Sequence, residues 1–285
     1  MNLVLLCKRH NHRKVLEILS ALRAQNLEVR GVVALEARAA LPSFKELVRK
    51  LYSRRLASAQ ARKRAAENAP NARLRANGKA AHIGAFNTNG HAALRFSAKP
   101  EAPLAIPSLY KTVDDYTRAH NIPLVAVPDL NGKACVAALQ KFQTDLLILG
   151  GTPIIRAHVL QLPRVGTLNV HMAWLPGVRG MNVAEWSVYT HAPVAVTVHF
   201  VDAGVDTGAV LYREQIDIAE RRSIAAMRQK LSFEQHRVLA RAVRLFVDQQ
   251  LQPEPQVREA GKQYYLMHER LKQVVERKLR EKEYK

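Results

Sequence analysis

The sequence is poor in cysteine, in acidic residues and in long apolar runs, and each shortage narrows what the chain can be. Two cysteines in 285 residues, Cys7 and Cys135, cannot build a disulfide framework, and they lack the spacing of a metal-ligand set. A reducing, cytoplasmic compartment is the expectation. No apolar run approaches the roughly 20 residues that a membrane span needs. The opening Met1-Asn2 and the brief apolar stretch Leu3–Leu6 also lack the basic leader and long apolar core of a secretory signal. What is present is ordinary for a folded protein: 48% apolar and 24% charged residues, which excludes collagen, mucin and wholesale disorder.

The charge balance is not ordinary. Lys and Arg total 44 against 24 Asp and Glu, a net +20. Such a chain attracts polyanions or anionic metabolites. Half of the excess lies in one stretch, Arg38–Lys79, with 12 basic and 2 acidic residues. That stretch reads either as a solvated helical face or as a polyanion-binding surface.

Periodicity organises the rest. Asn2–Cys7 reads as a buried strand, and Val15, Leu16, Leu19 and Leu22 mark a helix over Arg13–Gln25. Leu27–Leu35 reads as a second strand. The rhythm then breaks, and residues 36–107 are expected to be a basic insertion after that strand. It resumes with a helix from Ser108 and a strand at Leu124–Val127. A helix over Gly132–Phe142 leads to a strand at Asp145–Leu149. A short helix, Arg156–Leu162, precedes a strand at Thr167–Val170. Asn182–Tyr189 is helical, Val194–Val201 and Ala209–Ile218 are strands, and Ser223–Gln250 is a long helix. From Tyr264 the tail carries Met267, Leu271, Val274, Val275 and Leu279 on one face of a basic helix. The expected fold is α/β: a Rossmann-like, mostly parallel sheet flanked by helices. Residues 1–250 form the main domain, interrupted by 36–107, and 251–285 form a helical tail.

Polar and special residues concentrate between Gly150 and Gly208. In open α/β sheets ligands bind beyond the carboxyl ends of strands. Gly150-Gly151-Thr152-Pro153 leaves one such end and Asn169-Val170-His171 leaves the next. Asn169 and His171 stand two apart on an extended segment, so their side chains share a face. Val201-Asp202-Ala203-Gly204-Val205-Asp206-Thr207-Gly208 forms a shaped loop between two strands.

These pieces, with Leu175-Pro176, Arg179-Gly180 and Val196-Thr197-Val198-His199, resemble the folate-dependent formyltransferase family. The resemblance covers Asn2–Leu35 and about Ser108–Gln250. It implies transfer of a formyl group from 10-formyltetrahydrofolate to an amine, without a covalent enzyme intermediate and without a metal. It also implies catalytic roles for Asn169, His171 and Asp206. Attack on the formyl carbon creates a tetrahedral oxyanion. Asn169 offers it neutral N–H donors and His171 a charged donor or a proton. Asp206 orients His171 and accepts protons from the attacking amine, directly or through water. The folate crevice would be lined by Gly151, Thr152, Pro153, Ile154 and Ile155 on one side and by Val201, Asp202, Ala203, Gly204 and Val205 on the other. Substrate contacts would come from Lys8, Arg9, His10, Asn11, Trp174 and Arg179.

The sequence also departs from the family. Met172, Ala173 and Trp174 replace the usual Pro, small residue and Leu, and stand where they could reshape the substrate mouth. Ala195 replaces a Gly. Lys8-Arg9-His10-Asn11-His12-Arg13 replaces the Gly/Ser/Asn-rich phosphate cradle of the glycinamide ribonucleotide enzymes, which argues against a purine-pathway substrate. The leading expectation is a small anionic amine, such as an amino-sugar nucleotide. The alternative is a methionyl-tRNA formyltransferase-like enzyme, with tRNA or another polyanion held by the basic insertion. Against it, the residues after the long helix read as a helical tail too short for a C-terminal β-barrel. A third reading is a non-catalytic RNA-binding protein on the same fold. The tail helix is expected to pack on its own chain or on a homodimer partner.

Overall fold

The computed structural model describes residues 1–36 and 110–284. The insertion expected over residues 36–107, and with it the Arg38–Lys79 charge run, lies outside the described residues apart from Glu36. Seven strands form one sheet: β1 (Leu3–Lys8), β2 (Val29–Leu35), β3 (Leu124–Val127), β4 (Leu146–Gly150), β5 (Gly166–His171), β7 (Ala195–Phe200) and β8 (Val210–Gln215). Their order is β3-β2-β1-β4-β5-β7-β8. The pairs from β3 to β5 are parallel, and β5–β7 and β7–β8 are antiparallel. This is the expected mostly parallel, Rossmann-like sheet.

Both faces of the parallel part are covered, so its strands read as near-continuous apolar runs. Leu3, Leu5 and Cys7 of β1 face a core shared with α1 (His12–Ala24) and α6 (Ile224–Val247). Val4 and Leu6 face a second core with α3 (Lys133–Lys141) and α4 (Ala157–Leu160). Caps set the helix starts. Thr112 Oγ1 accepts from Asp115 N at 3.1 Å, ahead of α2 (Val113–Ala119), and Ser223 Oγ accepts from Ala226 N at 3.2 Å ahead of α6.

The tail differs from the expected simple helix. Glu254 first bridges to Val210. A short strand, β9 (Lys262–Tyr264), then pairs in parallel with β6 (Val178–Gly180). Only then does α7 (Glu269–Glu281) begin, with Val275 and Leu279 fully buried in the first core beside α5 (Val183–Thr190). Three-residue strands are too short to show a period of two, which is why sequence patterning passes over β6 and β9. Among the described residues no helix is long and apolar enough to cross a membrane.

Candidate active site

Strand β5 carries the site because its two faces differ. Leu168 points into the first core, while Asn169 and His171 share the opposite face. Across the antiparallel pair, Asn169 sits opposite His199 and His171 opposite Thr197. Two polar residues on β5 thus meet two on β7. The loop after β7 and the segment around β6 approach these residues.

The loop is shaped by its own side chains. Asp202 Oδ1 accepts from Gly204 N at 2.9 Å and from Thr207 Oγ1 at 2.6 Å. Gly208 must be glycine: a Cβ there would lie 2.0 Å from the Phe200 carbonyl oxygen. This folding holds Asp206 at φ 53°, in the left-handed region. Its Oδ2 accepts from Gly180 N at 2.9 Å and stands 3.5 Å from His171 Nδ1. Its Oδ1 stands 3.7 Å from His199 Nε2.

Hydrogen-bond partners fix the imidazoles. His171 is 5% exposed, and its Nε2 donates to the Val178 carbonyl at 2.8 Å, since a carbonyl can only accept. Its Nδ1 therefore faces the Asp206 carboxylate. His199 Nδ1 donates to the Phe200 carbonyl at 2.8 Å, which leaves Nε2 of the neutral ring as an acceptor. Asn169 Nδ2 donates to it at 3.3 Å. Burial pushes the His199 pKa down, against the pull of Asp206, and supports the neutral form.

The sequence-derived site residues divide accordingly. Asn169, His171 and Asp206 converge. The loop after β4 keeps Ile155 in the second core and leaves Ile154 exposed; Gly151 there has φ 77°. The loop carrying Val201, Asp202, Ala203, Gly204 and Val205 follows β7, with Val205 exposed. The loop after β4 leaves a strand parallel to β5, whereas β7 runs antiparallel to β5, so the loop after β7 starts beside the amino end of β5, where Val201 N donates to the Thr167 carbonyl at 2.8 Å. Thr152 and Pro153 are half-buried in the first of them.

Three expected substrate contacts are engaged by protein. Arg9 pairs with Asp114 of α2, Trp174 lies beneath the Arg213 guanidinium at 5.6 Å, and buried Arg179 donates to the Gly261 carbonyl at 3.1 Å. Arg179 thus reaches toward the tail. Lys8 and Asn11 are half-buried, and His10 is exposed.

A cavity of about 90 Å³ adjoins Asn169 on the side of α1 and α6, lined in part by Lys14, Gly151, Thr152, Gln235 and His236. Burial pushes the Lys14 pKa down. His236 Nδ1 stands 3.0 Å from Glu17 Oε2, and its buried Nε2 has no hydrogen-bond partner among the described residues.

Sequence reasoning quoted Val196-Thr197-Val198-His199 without giving His199 a role. The alternation that paired Asn169 with His171 would also have placed Thr197 and His199 on one face. It missed the Val178 carbonyl and the Gly180 amide altogether, because backbone groups leave no trace in side-chain identity.

The molecule is therefore an α/β protein whose strand β5 presents an amide and a buried imidazole near a carboxylate on the loop after β7. Residues 126–243 match the family model described as formyl transferase. The methionyl-tRNA formyltransferase of Bacteroides thetaiotaomicron is 30% identical over 123 residues, 43% of this chain and 38% of that protein. That of Syntrophus aciditrophicus is 30% identical over 140 residues, 48% of this chain and 45% of its own length. The chain thus matches less than half the length of these relatives. Two solved structures share the fold. Glycinamide ribonucleotide transformylase 1 from Symbiobacterium toebii gives a TM-score of 0.51 at 17% identity, over 87% of this chain and 89% of that one. A sugar N-formyltransferase from a Shewanella species gives 0.52 at 12% identity, over 93% and 77%. Over residues 126–243 the chain is thus similar to formyl transferases.

Proposed function

We propose that this protein transfers a formyl group from 10-formyltetrahydrofolate to the primary amine of a small, anionic metabolite, such as an amino-sugar nucleotide. The observation that carries the reading is the convergence of Asn169, His171 and Asp206, with His171 Nδ1 and Asp206 Oδ2 at 3.5 Å. The residues present fit a reduced folate: an amide and an imidazole meet on β5, and the flanking loops expose apolar Ile154 and Val205. Bound there, 10-formyltetrahydrofolate supplies an activated formyl carbon.

The chain's own groups do the rest. Asn169 Nδ2 stabilises the negative charge that develops on the formyl oxygen, and His171, when protonated, offers a charged donor or a proton. Asp206 takes the proton that the attacking amine must lose, directly or through water. One C–N bond forms to the acceptor and one breaks to the folate nitrogen, which leaves with a proton. The cavity beside Asn169, with Lys14 at its wall, suits an anionic part of the acceptor.

A second reading, methionyl-tRNA formylation, is favoured by the two relatives of that name. The experiment that separates them offers the protein 10-formyltetrahydrofolate with pooled amine metabolites and, separately, with methionyl-tRNA. Mass spectrometry of the products identifies the acceptor. A formylated small amine supports the first reading, formyl-methionyl-tRNA alone supports the second, and no formylated product in either arm rejects both.

A further inference from the structure

The groups that fix the catalytic pair trace to one place. Strand β6 supplies the Val178 carbonyl that takes the His171 Nε2 hydrogen, at 2.8 Å, and the Gly180 amide that donates to Asp206 Oδ2, at 2.9 Å. Strand β6 has three residues, and its partner is β9, from the tail. The fit is close: Gly180 has φ 104°, and a Cβ there would lie 2.1 Å from the Tyr264 carbonyl oxygen. The same tail holds Asp206 from the other side. Gln256 Nε2 donates to the Asp206 carbonyl at 3.1 Å and to the Gly208 carbonyl at 2.6 Å, which uses both amide hydrogens. Both partners are acceptors, so only the NH2 end of the amide can address them. Its Oε1 is left buried without a hydrogen bond, a cost that the reverse orientation would only increase.

We propose that Gln256 is a positioning residue: its amide clamps the two carbonyls that flank Thr207, and the tail thereby sets the approach of the Asp206 carboxylate to His171. The proposal rests on the formyl-transfer reading of the same site. The clamp is needed because Asp206 is held in the left-handed region, φ 53°, which a non-glycine residue leaves unless its surroundings hold it. The Asp202-centred hydrogen bonds tie Gly204 and the Thr207 side chain from within the loop. Gln256 adds, from the tail, a hold on the backbone carbonyls of Asp206 and Gly208. Loss of the clamp should therefore affect the chemical step more than folate binding.

The full-length protein carries the test in two variants. Gln256→Met keeps length and shape but removes both donors. Gln256→Glu keeps the shape and sets a carboxylate against two carbonyls. Turnover is measured with 10-formyltetrahydrofolate and the acceptor that the product screen returns, and folate affinity by calorimetry with 5-formyltetrahydrofolate. The expected result is a fall in kcat of about tenfold for Gln256→Met and about a hundredfold for Gln256→Glu, since misplacement by about 1 Å can cost that much. Folate affinity should change less than about threefold, and the melting curve of Gln256→Met should stay near wild type. The ring resonances of His171 report the same geometry without turnover, and they should shift in both variants. Wild-type kcat in both variants overturns the proposal, as does a loss shared equally by kcat, folate affinity and melting temperature. If the wild-type protein binds folate but transfers nothing, the formyl-transfer reading fails by itself. The His171 resonances then decide the clamp: a shift in the variants supports it and unmoved signals overturn it.

Discussion

At the residue scale, the site is a group of neighbouring polar side chains, several of them fixed by hydrogen bonds, and substitutions test the links one at a time. On the proposed mechanism, Asn169→Ala removes one donor to the developing oxyanion and should lower turnover by about 10²–10³. His171→Ala should cost at least as much, and Asp206→Asn keeps the shape of the site while removing its charge. Because the two act as a unit, the double variant His171→Ala/Asp206→Asn should be little worse than His171→Ala alone. Single-turnover formyl transfer beside thermal melts checks this; normal melts with undiminished transfer would remove the catalytic assignment. His199 offers a finer test. His199→Phe takes away the acceptor that fixes the Asn169 amide, so turnover should fall about tenfold while Asn169 remains in place. If His199→Phe is fully active, Asn169 needs no such orientation. Two-residue spacing on a strand made the pairing of Asn169 with His171 legible in the sequence. The third partner, Asp206, lies on another element, and only the resemblance of whole motifs tied it to them.

At the element scale, helices α1 and α6 meet at a buried contact between Glu17 and His236. Glu17 is 8% exposed and His236 is 2% exposed. Burial alone would raise the Glu17 pKa, but the hydrogen bonds from His236 and Arg13 outweigh it and hold the carboxyl below its usual range. For His236, burial is the larger influence and pushes the pKa down, against Glu17. His199 is likewise pushed down by burial. A histidine whose folded pKa lies below its unfolded value binds fewer protons folded than unfolded. Its cost therefore begins as pH falls through about 6.5 and levels off below the folded pKa. The melting temperature should be flat above about pH 7 and decline below about 6.5. Each kcal/mol lost should lower it by roughly 2–4 °C in a protein of this size. His236→Gln, which cannot titrate, should flatten part of that decline, and an unchanged pH profile in this variant would exclude His236 as its source. Strands β6 and β9 give a mechanical counterpart. Gly180→Ala would press a methyl group on the Tyr264 carbonyl at a positive φ, so it should loosen the tail and expose it to limited proteolysis. Equal protease resistance in Gly180→Ala and wild type would show that β9 can shift to make room. The long helices and buried strands were legible because their periods run over many residues. The β6–β9 pair was not, since its logic is a close backbone contact between segments some 80 residues apart.

At the scale of the whole molecule, the layered α/β plan followed from the order of apolar runs and helical stripes, and the described sheet has that plan. The apolar periods that reveal a core are silent on charge, and charge is the chain's most unusual property. The net +20 is unevenly spread, with 12 Lys and Arg against 2 Asp and Glu in residues 38–79. That stretch lies outside the described residues, so its role has to be argued from electrostatics alone. A solvated basic face and a polyanion site differ in one measurable way. A protein that neutralises phosphates releases condensed counterions, and its affinity then falls with salt at a logarithmic slope of about −0.7 to −0.9 per contact. If the stretch binds RNA, retention of tRNA at low salt should be lost steeply between about 50 and 200 mM salt. Deleting residues 49–64, which carry Arg49, Lys50, Arg54, Arg55, Arg62, Lys63 and Arg64, should then reduce both the affinity and the slope. Folate binding should persist, because the loops after β4 and β7 are built from other parts of the chain. The same deletion also bears on the choice of acceptor. If tRNA retention disappears while formylation of a small amine is undiminished, the basic stretch and the catalytic site serve different partners. If the two activities fall together, one anionic acceptor spans both. If the deletion leaves tRNA retention and its salt slope unchanged, or if the wild-type protein retains no tRNA at low salt, the charge of residues 38–79 is a solvated surface and the polyanion reading is wrong.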